Sequence, residues 1–171
     1  VSLRSAMKIC FWSTTFQSDN HALADHLSRT SGWDVTVALP NAEVFRREPV
    51  ASLLPFGGRL LERDASETKR ILSQEDFDLV VVDNHLPSQL PAAHLLVLWH
   101  GFGWRVDDVS KMRSEMNRLL GGAPATPNFV WQAFGDWDRE YRIRHSGFAP
   151  QNVVALGSAY SDWLIPDSKI R

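Results

Sequence analysis

Leu79-Val80-Val81-Val82 is apolar at four consecutive positions and is bracketed by Asp78 and Asp83. Successive side chains of a strand point to opposite faces, so a run like this needs cover on both faces. A parallel sheet packed between two layers of helices provides that cover. Other β-rich runs lie at Lys8–Trp12, Asp34–Leu39, Leu95–His100, Asn128–Gln132 and Asn152–Leu156, and with Asp78–Asp83 they alternate with helix-like segments.

The helix-like segments carry start and stop signals. Ser18 or Asp19 can cap a helix that buries Leu23 and Leu27 and stops near Gly32. Asp64 or Ser66 opens a second, with Ile71 and Leu72 facing inward. A third places Val109, Met112, Met116 and Leu119 at helical spacing before Gly121-Gly122, and the methionines read as core. A fourth begins at Asp136, holds Trp137 and Tyr141, and ends at Gly147. Residues 41–63, with Pro49, Pro55 and Gly57-Gly58, are less regular and have room for a short strand around Leu53. Pro124 to Pro127 reads as a loop. Strand–helix alternation of this kind predicts an α/β, Rossmann-like three-layer α/β/α fold with a parallel sheet of about six or seven strands.

With 171 residues the chain suits one domain, and a formal charge of −2 gives no general electrostatic reason to bind nucleic acid or an anionic membrane. The single cysteine, Cys10, excludes a disulfide framework and reads as a small buried hydrophobe, in keeping with a reducing compartment. The longest apolar stretch, Leu95 to Trp99, is strand-sized, and the N-terminus lacks the apolar core of a signal peptide. Met7 runs straight into the first strand, so residues 1–6 read as upstream or appended, and the domain is expected over 7–164.

Open α/β sheets bind ligands beyond the carboxyl ends of their strands. One strand ends in Trp99-His100-Gly101-Phe102-Gly103-Trp104-Arg105. An imidazole there can take a proton from an attacking hydroxyl, and Gly101 and Gly103 let backbone pass close to a ligand. A histidine that merely bonds a loop explains the same three residues about as well. After the first strand, Ser13, Thr14 and Asn20 lie in a hydroxyl-rich loop ahead of a helix, suited to a sugar, polyol or phosphate; ordinary capping accounts for any one of them. The loop has neither a dinucleotide glycine fingerprint nor a P-loop.

Asp83, His85 and Pro87 follow another strand. The aspartate–proline spacing suits a phosphoacceptor receiver domain, but Trp12-Ser13-Thr14 stands where such a domain needs a magnesium-binding acidic pair. Asp83 and His85 therefore read as a polar strand end lining the cleft. His85, His94 and His100 fit no zinc spacing, so no metal and no cofactor is expected, and His21, His26 and His145 read as solvated helix residues. Of the seven tryptophans, Trp12, Trp99 and Trp131 fall at strand ends, Trp33, Trp137 and Trp163 in loops or helices, and Trp104 is the one expected to face the cleft.

Three features make the chain resemble the N-terminal domain of the CDP-glycerol glycerophosphotransferase family: Trp99-His100-Gly101 at a strand end, the strand and short helix from Asn128 to Tyr141, and the segment Val153 to Leu164. Where the family has Thr-Pro-Leu-Lys after His-Gly, this chain has Phe102-Gly103-Trp104-Arg105, and Ser158-Ala159-Tyr160 stands for Tyr-Pro-Arg. The resemblance implies one half of a GT-B fold. It implies His100 as general base, and the strand-end residues read above, Ser13, Thr14, Asn20, Asp83, His85, Gly101, Gly103 and Trp104, together with Arg105, are then expected to bind the acceptor. Arg105 would meet an acceptor phosphate, or be a plain exposed loop arginine.

The acceptor would be a glycan or polyol phosphate. The donor, CDP-glycerol or a nucleotide sugar, would be held mainly by a C-terminal domain beyond residues 165–171, the start of a linker. The implied setting is cytoplasmic, at the inner face of a membrane when the acceptor is lipid-linked, and the isolated half is expected to be inactive. Two other readings compete: a non-catalytic binding or scaffold module, and another GT-B-like enzyme such as a nucleotide-sugar epimerase. The epimerase would need more cleft carboxylates than Asp83.

Overall fold

The computed structural model describes residues 6–14, 18–47, 56–83, 92–98 and 128–158, with six further helical positions between 110 and 118. Along the chain run β1 (Lys8–Trp12), α1 (Ser18–Thr30), β2 (Asp34–Leu39), α2 (Ala42–Arg47), β3 (Arg59–Glu62), α3 (Ser66–Gln74), β4 (Phe77–Val82), β5 (Ala92–Val97), β6 (Phe129–Ala133), α4 (Asp136–Ser146) and β7 (Val153–Ala155). The strands form one seven-stranded sheet in the order β3-β2-β1-β4-β5-β6-β7. Every neighbouring pair is parallel. This is the expected Rossmann-like α/β architecture.

The apolar runs serve both faces, as their composition requires. Cys10, Val80, Val82, Leu95, Val97 and Trp131 point into one buried cluster, against which Tyr141 and Ile143 of α4 pack. Ile9, Phe11, Val35, Val37 and Val81 point into the other, with Ala24 of α1 and Ala42 of α2. Neighbours in sequence fall in opposite clusters, which is the period-two signature of a sheet covered twice. Cys10 is fully buried and reduced, the small hydrophobe expected.

Several boundaries differ from expectation. Residues 41–63 hold α2 and then β3, while Leu53 lies outside the described residues. The chain enters β3 through Gly58, where a Cβ would come within 2.4 Å of Val35 O, so only glycine allows the edge strand to close on β2. β5 runs Ala92–Val97 rather than Leu95–His100, although Leu98 N–H still donates to Val82 O. α3 starts behind Ala65 with no side-chain cap, so neither Asp64 nor Ser66 fills that role. Ile71 is half-buried, and the side chain of Leu72 lies outside the described set. So do Val109, Met112, Met116, Leu119, Gly121-Gly122 and Pro124–Pro127 of the expected third helix and its following loop.

The seven-strand order also separates this chain from a receiver domain, whose five strands run 2-1-3-4-5. Asp83 follows the fourth strand and not the third, because β3 precedes it.

α4 is anchored by a buried ion pair. Arg142 Nη2 lies 2.8 Å from Asp138 Oδ2 and Arg142 Nε 3.0 Å from Oδ1, and the same carboxylate accepts Phe134 N–H at 2.9 Å. The guanidinium carbon sits 5.3 Å from the Trp131 ring centroid and 5.7 Å from that of Phe134. Burial pushes the Arg142 pKa below its ordinary value while Asp138 opposes that shift. Gly147, at φ 69°, ends the helix in the left-handed conformation and donates its N–H to Ile143 O, as expected for the stop.

Two predictions follow from this packing. Asp138→Ala takes the carboxylate away from a buried guanidinium and should lower unfolding free energy by about 3–5 kcal/mol in urea titration, whereas Asp138→Ala/Arg142→Met should recover much of that loss. Burial raises the Cys10 thiol from 9.0 to about 12. Above pH 9 the unfolded chain therefore sheds a proton that the folded chain keeps, so stability should fall as pH rises from 9 toward 12. A Cys10→Ala variant should lose this slope, and at neutral pH a thiol reagent should label wild type only on unfolding.

Candidate functional site at the strand-order reversal

From β1 the chain builds outward through β2 and β3, then returns across the sheet to β4 and builds outward the other way. Strand order therefore reverses between β1 and β4, and in open α/β sheets such a reversal marks the crevice, beyond the carboxyl ends of the strands, where ligands bind. Ser13, Thr14 and Asp83 stand at this reversal, and Ser13 and Asp83 are buried.

One peptide unit organises the crevice. Thr14 N–H donates to Asp83 Oδ2 at 2.6 Å, tying the β1 loop to β4. The carbonyl of the same peptide, Ser13 O, accepts from Arg63 Nη1 at 3.4 Å, a long bond that reaches it from beyond β3. Ser13 N–H donates to Ala38 O at 3.1 Å, continuing the β1–β2 ladder by one step. Asn20 in the first turn of α1 donates from Nδ2 to Ser13 Oγ at 3.0 Å. The residues expected at this wall, Ser13, Thr14, Asn20 and Asp83, are thus brought together.

Two buried polar atoms in this group, Thr14 Oγ1 and Asn20 Oδ1, have no hydrogen-bond partner among the described residues. Leaving such an atom unsatisfied costs about 1–3 kcal/mol, and sites that await a ligand's hydroxyls are one place where that cost is tolerated. His100, Gly101, Gly103, Trp104 and Arg105, like His85, lie outside the described residues, as do Trp99 and Trp163.

Sequence reading missed three residues here. Arg63 escaped notice because β3, the strand that delivers it, is short and sits behind two prolines. Trp12, expected only to end a strand, presents its ring to Arg63 at 5.2 Å. His21 was expected to be solvated but is 4% exposed, its ring centroid 6.2 Å from that of Phe45. Phe45 belongs to α2, a helix the proline-rich surroundings disguised, so α2 places a ring beside His21. His26 is exposed as expected, and His145 is half-buried against Tyr141. Trp131 is in the interior of β6, whereas Trp137 is 78% exposed and stacked on Tyr141.

Among the described residues no three His, Cys, Asp or Glu side chains converge to hold a metal, and no helix is long and apolar enough to cross a membrane.

No family model and no curated protein sequence matches the chain. Solved structures do. A structure of the wall teichoic acid polymerase TagF aligns with TM-score 0.63 at 12% identity, over 92% of this chain and 40% of that one. A histidine-to-asparagine variant gives TM-score 0.67 at 12% identity with the same coverage of both chains. The same variant soaked with CDPG gives 0.59 at 11% identity, over 88% of this chain and 38% of that one. This chain thus spans less than half the length of those polymerases. The resemblance read from its sequence is met in its fold: over nearly its whole length, the chain is built like part of the teichoic acid polymerase TagF.

Proposed function

We propose that this chain is the N-terminal, acceptor-binding domain of a two-domain GT-B glycosyl- or glycerophosphotransferase of cell-wall or surface polysaccharide synthesis. The observation that carries this reading is the convergence of Ser13, Thr14, Asn20 and Asp83 on the strand-order reversal, in a fold shared with a teichoic acid polymerase. Buried hydroxyl and amide groups with unspent hydrogen-bonding capacity suit a polyol or sugar better than an apolar ligand.

In this reading the acceptor, a glycan or polyol phosphate, lies along the carboxyl rim with one hydroxyl toward the chain that continues from β5 to His100. The His100 imidazole takes the hydroxyl proton as the oxygen attacks the donor's phosphorus or anomeric carbon. The bond from that atom to the nucleotide breaks, and the nucleotide leaves with its electron pair. The donor, CDP-glycerol or a nucleotide sugar, is held by a second domain following residues 165–171, with residues 7–164 forming the acceptor half. One TagF structure was soaked with CDPG, which supports a nucleotide-activated donor. His85, Gly101, Gly103, Trp104 and Arg105 complete the acceptor wall. The enzyme works in the cytoplasm, at the inner membrane face when its acceptor is lipid-linked. Closure of two domains aligns the reactants and excludes water, so the isolated half binds without turnover.

The test is a backbone NMR titration of wild type and His100→Ala with CDP-glycerol, nucleotide sugars and glycan or glycerol-phosphate fragments. Acceptor-dependent shifts at residues 13–20 and 100–105, altered in the variant, are expected. A folded chain that responds to none of these ligands would be a scaffold module instead, and transfer by these residues alone would overturn the two-domain requirement.

Asp83→Ala removes the acceptor for Thr14 N–H and should cost about 1–3 kcal/mol while speeding exchange of that amide. Asp83→Asn, which keeps a carbonyl oxygen there, should retain most of the protection. Unchanged Thr14 exchange in both variants would refute the role of Asp83 as anchor of the β1 loop.

A further inference from the structure

Seven arginines among the described residues sit in ion pairs: Arg29, Arg46, Arg47, Arg59, Arg70, Arg139 and Arg142. Arg63 sits in none of those pairs. It leaves the sheet one residue past β3, half-buried, and crosses the end of β2 to reach the end of β1. There its guanidinium lies over the Trp12 ring, 5.2 Å from the centroid. Among the described residues its one side-chain hydrogen bond is the long contact from Nη1 to Ser13 O.

Those contacts hold the group in place without exhausting it. The Trp12 ring lies on one side of the guanidinium, and the carbonyl takes one of five N–H donors. A half-buried, pre-oriented guanidinium with unspent donors and, among the described residues, no carboxylate partner is a receptor for an oxyanion, since its fork matches two oxygens of a phosphate. The amino end of α1, which follows the β1 loop, adds a favourable dipole on the same rim.

We infer that Arg63 is the anion-binding residue of the crevice and receives a phosphoryl group of the acceptor. The inference rests on the acceptor-domain reading and adds an orientation to it. Asp83 is anchored to the other end of the Ser13–Thr14 peptide, on the β4 side. Its carboxylate disfavours an anion there, while Arg63 favours one on the β2 side. A phosphorylated acceptor therefore lies with its charge over β1 and its uncharged hydroxyls toward β4 and β5. β5 is two strand spacings from β1, about 10 Å along the rim, and leads on to His100.

The test compares sn-glycerol 3-phosphate, inorganic phosphate and uncharged glycerol as NMR ligands of wild type, Arg63→Gln and Arg63→Lys. In wild type, glycerol 3-phosphate should move the Trp12 indole N–H and the Ser13 and Thr14 amides, and should bind at least tenfold more tightly than glycerol. Arg63→Gln should erase that advantage and its dependence on salt, leaving glycerol binding unchanged; Arg63→Lys should keep the salt dependence with weakened affinity. Phosphate-only binding at Trp12 would mark an anion pocket that does not read the glycerol portion and would overturn the orientation.

Equal affinity of wild type and Arg63→Gln for glycerol 3-phosphate would overturn the assignment. Should Arg63→Gln fail to fold, loss of the wild-type phosphate advantage in high salt with retention in Arg63→Lys decides the matter in its place. If uncharged glycan fragments bind but phosphate gives no advantage, the role of Arg63 falls and the acceptor domain stands. If no acceptor fragment of either kind binds, the acceptor domain falls with it.

Discussion

The pairing of β1 with β4 is the constraint on which the rest of the molecule depends. Ile9, Cys10, Phe11 and Trp12 lie in register with Leu79, Val80, Val81 and Val82, and both strands have structure on each side and on each face. Cys10, Val80 and Val82 feed one core cluster, and Ile9, Phe11 and Val81 feed the other. Moving either strand by one residue would exchange the faces of all these side chains. The same pairing makes the chain return across the sheet after β3, and that return sets the strand-order reversal beyond which α/β sheets bind ligands. Core stability and the position of the site thus share one origin.

At the crevice, the two ends of a single peptide are held by groups of opposite charge. Arg63 reaches Ser13 O from the β3 side, and Asp83 takes Thr14 N–H from the β4 side. Each contact fixes the turn that leaves β1, and together they give the rim a positive side and a negative side. The contrast with Arg142 is instructive. That guanidinium is sealed between Asp138, Trp131 and Phe134 and acts as a structural tie for α4. Arg63 also lies against a tryptophan, but with a carbonyl in place of a carboxylate. The difference between a tie and a receptor lies in what partners are left to find.

Much of the architecture was legible in the sequence because it follows from local pattern. Consecutive apolar residues at 79–82 require a doubly covered strand, and β1 and β2 were bounded correctly because a charged residue opens each, Lys8 and Asp34, and Ser13 and Pro40 follow them. α1 and α4 were legible from their apolar spacing and from Gly32 and Gly147. β3 was not, since its four residues, Arg59–Glu62, are half-buried at a sheet edge and have no apolar run to announce them. α2 was hidden in the same way, being short, charged and close to prolines. Both elements take their form from what they pack against. Arg59 of β3 is bound through both guanidinium ends to Glu75, with its Nε on Thr36 Oγ1.

The sequence alone determined the fold class, the candidates Ser13, Thr14, Asn20 and Asp83, and the buried state of Cys10. It could do so because side-chain periodicity and strand-end position are properties of neighbours along the chain. Only the tertiary structure decided that those four residues meet, that His21 is buried with Phe45 of α2 beside it, and that Arg63 reaches the turn after β1. Ser13 and Asp83 are seventy positions apart, and Arg63 comes from the strand most remote from β4 on its side of the sheet. Their convergence follows from strand order, which no local pattern of residues contains.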